Sequence, residues 1–212
     1  YTGKRVVENG YVVFDGKKMV GVSKTKRGTQ VGACEVVTPA FIDGHSHIGL
    51  ARSGEPGAES EANENMDSIL TLVDSLDSLL MDDAALQEAV EMGVLYSCIV
   101  PGSGNIIGGR SAVVRNYAKN STAALVARAG LKSAFGHNPR STQGWKGSRP
   151  GTRMGALAIL RAKLDEIQRK VEQYDKARGK ERQKITFSAE EAVLRDVLAG
   201  KERLRAHVHK ID

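Results

Sequence analysis

Five histidines occur in the 212 residues, and four of them form two His-x-His pairs, His45/His47 and His207/His209. Each pair closes a strand-like run, Ala40-Phe41-Ile42-Asp43-Gly44-His45-Ser46-His47 and Leu204-Arg205-Ala206-His207-Val208-His209. Side chains alternate along a strand with period two, so both members of a pair leave the same face. Two imidazoles on one face form a chelate. Neutral imidazole suits zinc, iron, nickel or cobalt, whereas an all-oxygen site suits magnesium or calcium. Asp43 shares the face of the first pair, where its carboxylate would either order a ligand histidine or bond the local backbone. His137, in the loop Gly136-His137-Asn138-Pro139, stands open between ligand or acid/base residue and plain loop polarity.

In a parallel α/β sheet or barrel, sites lie at the carboxyl ends of the strands, which is where both pairs fall. The elements needed for such a sheet can be read along the chain. Two short β-type runs, 10–14 and 19–22, flank Asp15-Gly16, a hairpin dipeptide. Residues 49–65 lack periodicity and read as a long surface loop. From Met66, the positions Ile69, Leu72, Val73, Leu76, Leu79 and Leu80 recur at helical spacing, and Asp82-Asp83 offers the cap of a second helix that Gly93 ends. Residues 94–100 are a mostly apolar run of strand length, as expected for a strand buried on both faces of a parallel sheet. Gly102 to Arg110 resembles a phosphate-cradling loop, but its glycines miss the GxGxxG spacing, so it reads as a tight active-site loop. Residues 125–135 form another strand-like run, interrupted by Gly130. Leu157, Leu160, Leu164, Ile167, Val171 and Tyr174 mark a long amphipathic helix. Ser188 and Glu191 make a capping box for a helix over 189–199, with Gly200 at its end. Strands alternating with helices point to α/β architecture and βα units.

Composition narrows the function classes. A 41% hydrophobic content is enough for a core, no run of about 18 apolar residues suggests a membrane span, and the first residues lack a signal-peptide pattern, which favours a cytoplasmic setting. Cys34 and Cys98 lie in strand-like runs without a CxxC pattern and read as buried reduced thiols. The net charge of +6 is concentrated late, with 18 Lys and Arg against 10 Asp and Glu in residues 139–212. This excess reads first as a solvated helix face. With 5% aromatic residues and no interleaved signature, nucleic-acid binding ranks a distant third among the functional readings.

At FIDGHSH the chain resembles the amidohydrolase superfamily, whose first barrel strand ends in the same Pro-x-Phe-Ile-Asp-x-His-x-His pattern. The segments VPGSGNIIGGR (100–110), LKSAFGHNPR (131–140), TRMGALAILR (152–161) and RAHVHKID (205–212) extend the likeness to the imidazolonepropionase-related branch. The resemblance implies a (β/α)8 TIM barrel with a small β-sandwich domain. This chain would then supply the N-terminal half: residues 1–38 as part of the sandwich and 39–212 as the first part of the barrel. It further implies His45, His47 and His207 as metal ligands, His209 as a neighbouring catalytic residue, and Asn138 and Arg153 as substrate contacts. Where the family has Gly-Glu-Asn-Pro this chain has Gly-His-Asn-Pro, so His137 stands in place of a carboxylate. The family also draws a histidine and a general-base aspartate from later strands.

The activity implied is hydrolysis of an amide, cyclic amide or related C–N bond, with a divalent metal, zinc first and iron, nickel, cobalt or manganese as alternatives, lowering the pKa of water and polarising the carbonyl. An open half-barrel exposes sheet edges. The expected partners are therefore a small amide-type substrate and the remainder of the barrel, as a continuation, a partner chain or a second copy, with no nucleic acid and no membrane. The alternative is a non-catalytic metal-binding or assembly subunit that docks a partner chain.

Overall fold

A computed structural model describes residues 1–52, 54–140, 145–147 and 149–208. The chain divides into two units, Tyr1–Phe41 and Ile42–Asp212. In the first, β1 (Tyr11–Asp15) and β2 (Lys18–Ser23) form the antiparallel hairpin that Asp15-Gly16 predicts. Gly16 turns the chain at φ +55°, a left-handed conformation that costs glycine little. Cys34 corrects the expectation of a buried thiol: it is exposed and lies in no strand, whereas Cys98 is buried.

β3 (Phe41–Ser46) carries the chain into the second unit. There follow α1 (Ala84–Glu91), β4 (Val94–Ile99), β5 (Ile107–Arg115), α2 (Ser121–Ala124), β6 (Leu125–Ala134), α3 (Arg153–Lys176), α4 (Gly179–Lys184), α5 (Ala189–Leu198) and β7 (Leu204–His207). The five strands form one curled half-barrel sheet in the order β3-β4-β5-β6-β7. Its direction corrects the all-parallel expectation, because β5 is antiparallel to both β4 and β6, while β6 and β7 are parallel. The cause is connection length. Only residues 100–106 separate β4 from β5, too few for the crossover that parallel neighbours need. As a result the amino end of β5 joins the carboxyl ends of its neighbours at one rim of the sheet.

The helix expected from Met66 is absent. Residues 66–81 run as an irregular segment alongside β5, with bridges Ile69 to Ile107 and Asp74 to Arg110. Its polar residues redirect the backbone: the Asp67 carboxylate accepts from the Ser68 N–H and the Asp74 carboxylate from the Leu76 N–H, local bonds that compete with a helix. The backbone then bonds β5 instead, Leu70 N–H to the Ile107 carbonyl at 2.8 Å and Arg110 N–H to the Val73 carbonyl at 2.7 Å.

The other helices follow their signals. Asp83 caps α1 and Thr152 caps α3, each side chain accepting a backbone N–H of the first turn, and Ser188 with Glu191 closes a complete capping box on α5. The apolar stripe of α3 packs Ala156, Leu160 and Ile167 with Leu194 of α5 against Ile107 and Leu131 of the sheet and Ile106 just before β5. A second cluster joins Leu50, Leu79, Ile99, Ala112, Val114 and Ala124. Among the described residues no helix is long and apolar enough to cross a membrane.

Candidate functional site

β3 delivers His45 and, one residue past its end, His47. The period of two places their rings 5.6 Å apart, centroid to centroid. β7 pairs in parallel with β6, Ala134 opposite His207, and this register brings the His207 ring to 4.9 Å from that of His45. Three sequence-singled histidines therefore meet at the rim where the strands end. Asp43 takes the second of its two expected roles, its carboxylate accepting the His45 backbone N–H at 3.0 Å.

His137 does not join this group. It is exposed, and among the described residues no ring contact links it to the other three histidines. Asn138 begins a short 3-10 turn, Asn138–Arg140, and Arg153 is the first residue of α3. His209 lies outside the described residues.

The His47 and His207 rings are each held by a hydrogen bond at Nδ1. Nδ1 of His47 lies 2.7 Å from the Val100 carbonyl oxygen, and because a carbonyl only accepts, Nδ1 carries the proton and Nε2 the lone pair. Burial pushes the His47 pKa below its ordinary value, the Val100 bond opposes the shift, and the Lys132 charge adds to it. Burial lowers His45 as well, reinforced by the charges of Lys132 and His47 and opposed by Asp43. Both shifts favour the neutral imidazole, the form that ligates metals.

Two residues of the site escaped sequence analysis. Lys132 is wholly buried, its ammonium donating to the Pro101 carbonyl at 2.8 Å and to Ser103 Oγ at 3.1 Å, and burial brings its pKa down to about 8. Ser103 Oγ in turn lies 2.7 Å from Nδ1 of His207. The available signal was a lysine inside the apolar end of a strand, Leu131-Lys132-Ser133-Ala134-Phe135, where a charge is rarely placed without a role.

With Zn–N bonds of about 2.0–2.1 Å, two imidazoles on one tetrahedral ion have ring centres about 5 Å apart, close to both spacings around His45. Donor type and spacing fit a borderline divalent ion. Among the described residues no three His, Cys, Asp or Glu side chains are already closed on one point, so an ion would have to draw the rings together.

No protein-family model matches the chain. It is 28% identical over 151 residues to "Amidohydrolase tasK" of Hapsidospora irregularis, a match covering 66% of this chain and 15% of that protein. The crystal structure of an amidohydrolase from Thermotoga maritima MSB8 superposes with a TM-score of 0.82 at 29% identity. Both relatives are amidohydrolases. The two likenesses support kinship with the amidohydrolase superfamily, and the α/β half-barrel sheet has its counterpart in the solved relative. That superposition takes in 95% of this chain and 54% of the other, so this chain spans about half the length of the solved relative.

Proposed function

We propose that the chain is the N-terminal half of a metal-dependent amidohydrolase of the imidazolonepropionase-related branch. In this reading it acts on an amide, cyclic amide or related C–N bond. The observation that carries the reading is the convergence of His207, from β7, on the His45/His47 pair at the strand-end rim, the two rings 4.9 Å apart. The amidohydrolase relatives support the hydrolase class.

His45, His47 and His207 would hold the ion, zinc first, with iron, nickel, cobalt or manganese as alternatives. When bound, such an ion supplies Lewis acidity, which acidifies water and polarises a carbonyl group. The chain's own part is positional: Val100 fixes the His47 ring, Asp43 fixes the backbone at His45, and desolvation lowers the pKa of both rings, which favours their neutral form. His209, His137, Asn138 and Arg153 are the candidates for proton transfer and substrate contact. The reading includes the remainder of a (β/α)8 barrel, as continuation or partner chain, completing the half-barrel and supplying a general base.

Elemental analysis of the purified chain beside its His45→Ala/His47→Ala variant tests the metal. About one transition metal per chain, lost in the variant, supports the reading, and turnover of amide and cyclic-amide substrates by the completed barrel then tests the chemistry. A wild-type chain that takes up no metal in the absence of chelators, alone and with the completing half, overturns it. The second reading, a metal-binding or assembly subunit without turnover, draws on the open arrangement of the three rings and is favoured by metal uptake without hydrolysis.

A further inference from the structure

Ser103 occupies an unusually constrained position. It is 6% exposed, in the loop between β4 and β5. The loop is tied down on both sides of it: Gly102 N–H donates to the Ala62 carbonyl at 2.6 Å, Gly104 N–H to Asn63 Oδ1 at 2.8 Å, and the Asn105 side-chain amide to the Glu64 and Asp67 carbonyls at 2.9 and 2.7 Å. No room is left for side chains at the flanking positions, since a Cβ at Gly102 would meet the Asn63 side chain at 2.3 Å and one at Gly104 would meet Trp145 at 2.3 Å.

The hydrogen-bond inventory of Ser103 then decides the state of His207. An ammonium only donates, so Lys132 claims one lone pair of Ser103 Oγ. The hydroxyl proton needs an acceptor, and among the described residues that acceptor is Nδ1 of His207, 2.7 Å away. A chain running donor to acceptor from Lys132 through Ser103 to His207 satisfies every member and is cooperative. The reverse assignment strands the hydroxyl proton in a buried loop.

We infer that Ser103 is a positioning residue: clamped by Lys132 and its own loop, it donates to Nδ1 of His207 and fixes both the ring's orientation and its tautomer, with the proton on Nε2. His47 and His207 thus enter the site as opposite tautomers, His47 with its proton on Nδ1 and His207 with its proton on Nε2. The lone pair of His207 faces Ser103, so an ion that takes this nitrogen must displace the Ser103 hydroxyl.

The functional meaning of this inference rests on the proposed site, but its test does not. In the metal-free chain at about pH 7.5, where ordinary imidazoles are mostly neutral, long-range proton–nitrogen NMR on ring-labelled histidine reports which nitrogen of each ring is protonated. His207 is assigned by the loss of its signals in His207→Gln. The expected result is a proton on Nε2 and a hydrogen-bonded lone pair on Nδ1. In Ser103→Ala the hydrogen-bond shift at Nδ1 is lost, and in Ser103→Thr it returns, with the His47 signals unchanged in both as a control that the rim is intact. A proton on Nδ1 of His207 in the wild-type chain overturns the inference even if the Ala variant fails to fold. So does a folded Ala variant with unchanged His207 signals. A wild-type chain with the expected tautomer but no zinc uptake sinks the metal reading and leaves this inference standing.

Discussion

Nδ1 of His47 lies 2.7 Å from the carbonyl oxygen of Val100, 53 residues further along the chain. This bond joins the ends of β3 and β4 through a side chain that also belongs to the candidate site, beside the backbone bond from Val100 N–H to the Ser46 carbonyl at 2.9 Å. Assembly of the sheet and orientation of the ring are therefore one event.

The lowered pKa values of His45 and His47 make that event pH-dependent. On acidification from neutral pH the unfolded chain takes up protons first, near the ordinary value of 6.5, while the folded chain resists. The stability linked to these rings is complete above about pH 6.5 and is lost as the pH falls toward their folded values. Urea midpoints measured in chelator between pH 7.5 and 5 (a range set by about 6.5 as the ordinary value) should fall more steeply for wild type than for His45→Asn/His47→Asn. Parallel slopes would show that the rings are not shifted.

Lys132 gives the opposite test at alkaline pH. With its pKa lowered from 10.5 to about 8, the buried ammonium costs stability at neutral pH, and the cost is relieved as pH rises from about 8 to 10.5. The shift corresponds to on the order of 3 kcal/mol. Lys132→Met removes this dependence while leaving the Pro101 carbonyl without its donor, so the wild type should gain on the variant as pH is raised. Denaturation of both chains at pH 8 and 10.5, the two ends of that shift, is the measurement, and a constant difference would contradict the prediction.

Gly109 lies in β5 at φ +111°, and a Cβ there would stand 2.5 Å from the Val73 carbonyl oxygen. Gly109→Ala should cost about 2–4 kcal/mol through strain and overpacking. Gly108→Ala is the control, because its Cβ would come no closer than 3.4 Å to the Gly102 carbonyl oxygen, and it should cost less than about 1 kcal/mol. Equal losses in urea denaturation would argue against the close pairing of residues 73–74 with β5.

Ser188 and Glu191 cap α5 reciprocally, and Glu191 also accepts from Lys170 of α3 at 2.7 Å on both carboxylate oxygens. Ser188→Ala should cost about 1 kcal/mol. Thermal melting of Ser188→Ala, Glu191→Gln and the double variant should give a double loss smaller than the sum, because the two caps share one geometry. Strict additivity would separate the cap from the α3 contact.

The parts of this fold that were legible in the sequence are those written in local chemistry. The hairpin at Asp15-Gly16, the capped helices after Asp83 and Ser188, the long apolar stripe from Leu157 to Tyr174 and the strand ends at His45 and His207 depend on neighbours within a few residues. The segment after Met66 carries a helical period without forming a helix, because its apolar residues serve the interior while its backbone pairs elsewhere: Leu70 and Leu79 are buried while the backbone between them bonds β5. β5 itself was concealed by glycine. Gly108 and Gly109 signal a loop, yet Gly109 is needed in the strand because another backbone passes against it. Lys132 and Ser103 are hidden for a different reason: their roles arise from contacts 29, 31 and 104 residues away, which spacing does not display.

The reversed direction of β5 also separates construction from chemistry. β5 is shared by two hairpins whose connections lie at opposite ends: residues 100–106 sit at the histidine rim, and residues 116–124 at the far side of the sheet. Tyr117 there is exposed. A fluorophore, affinity handle or short inserted peptide placed after Tyr117 would be tethered to the same strand as the rim while remaining a full strand length away from it. This gives the protein a built-in attachment point for following events at the histidines.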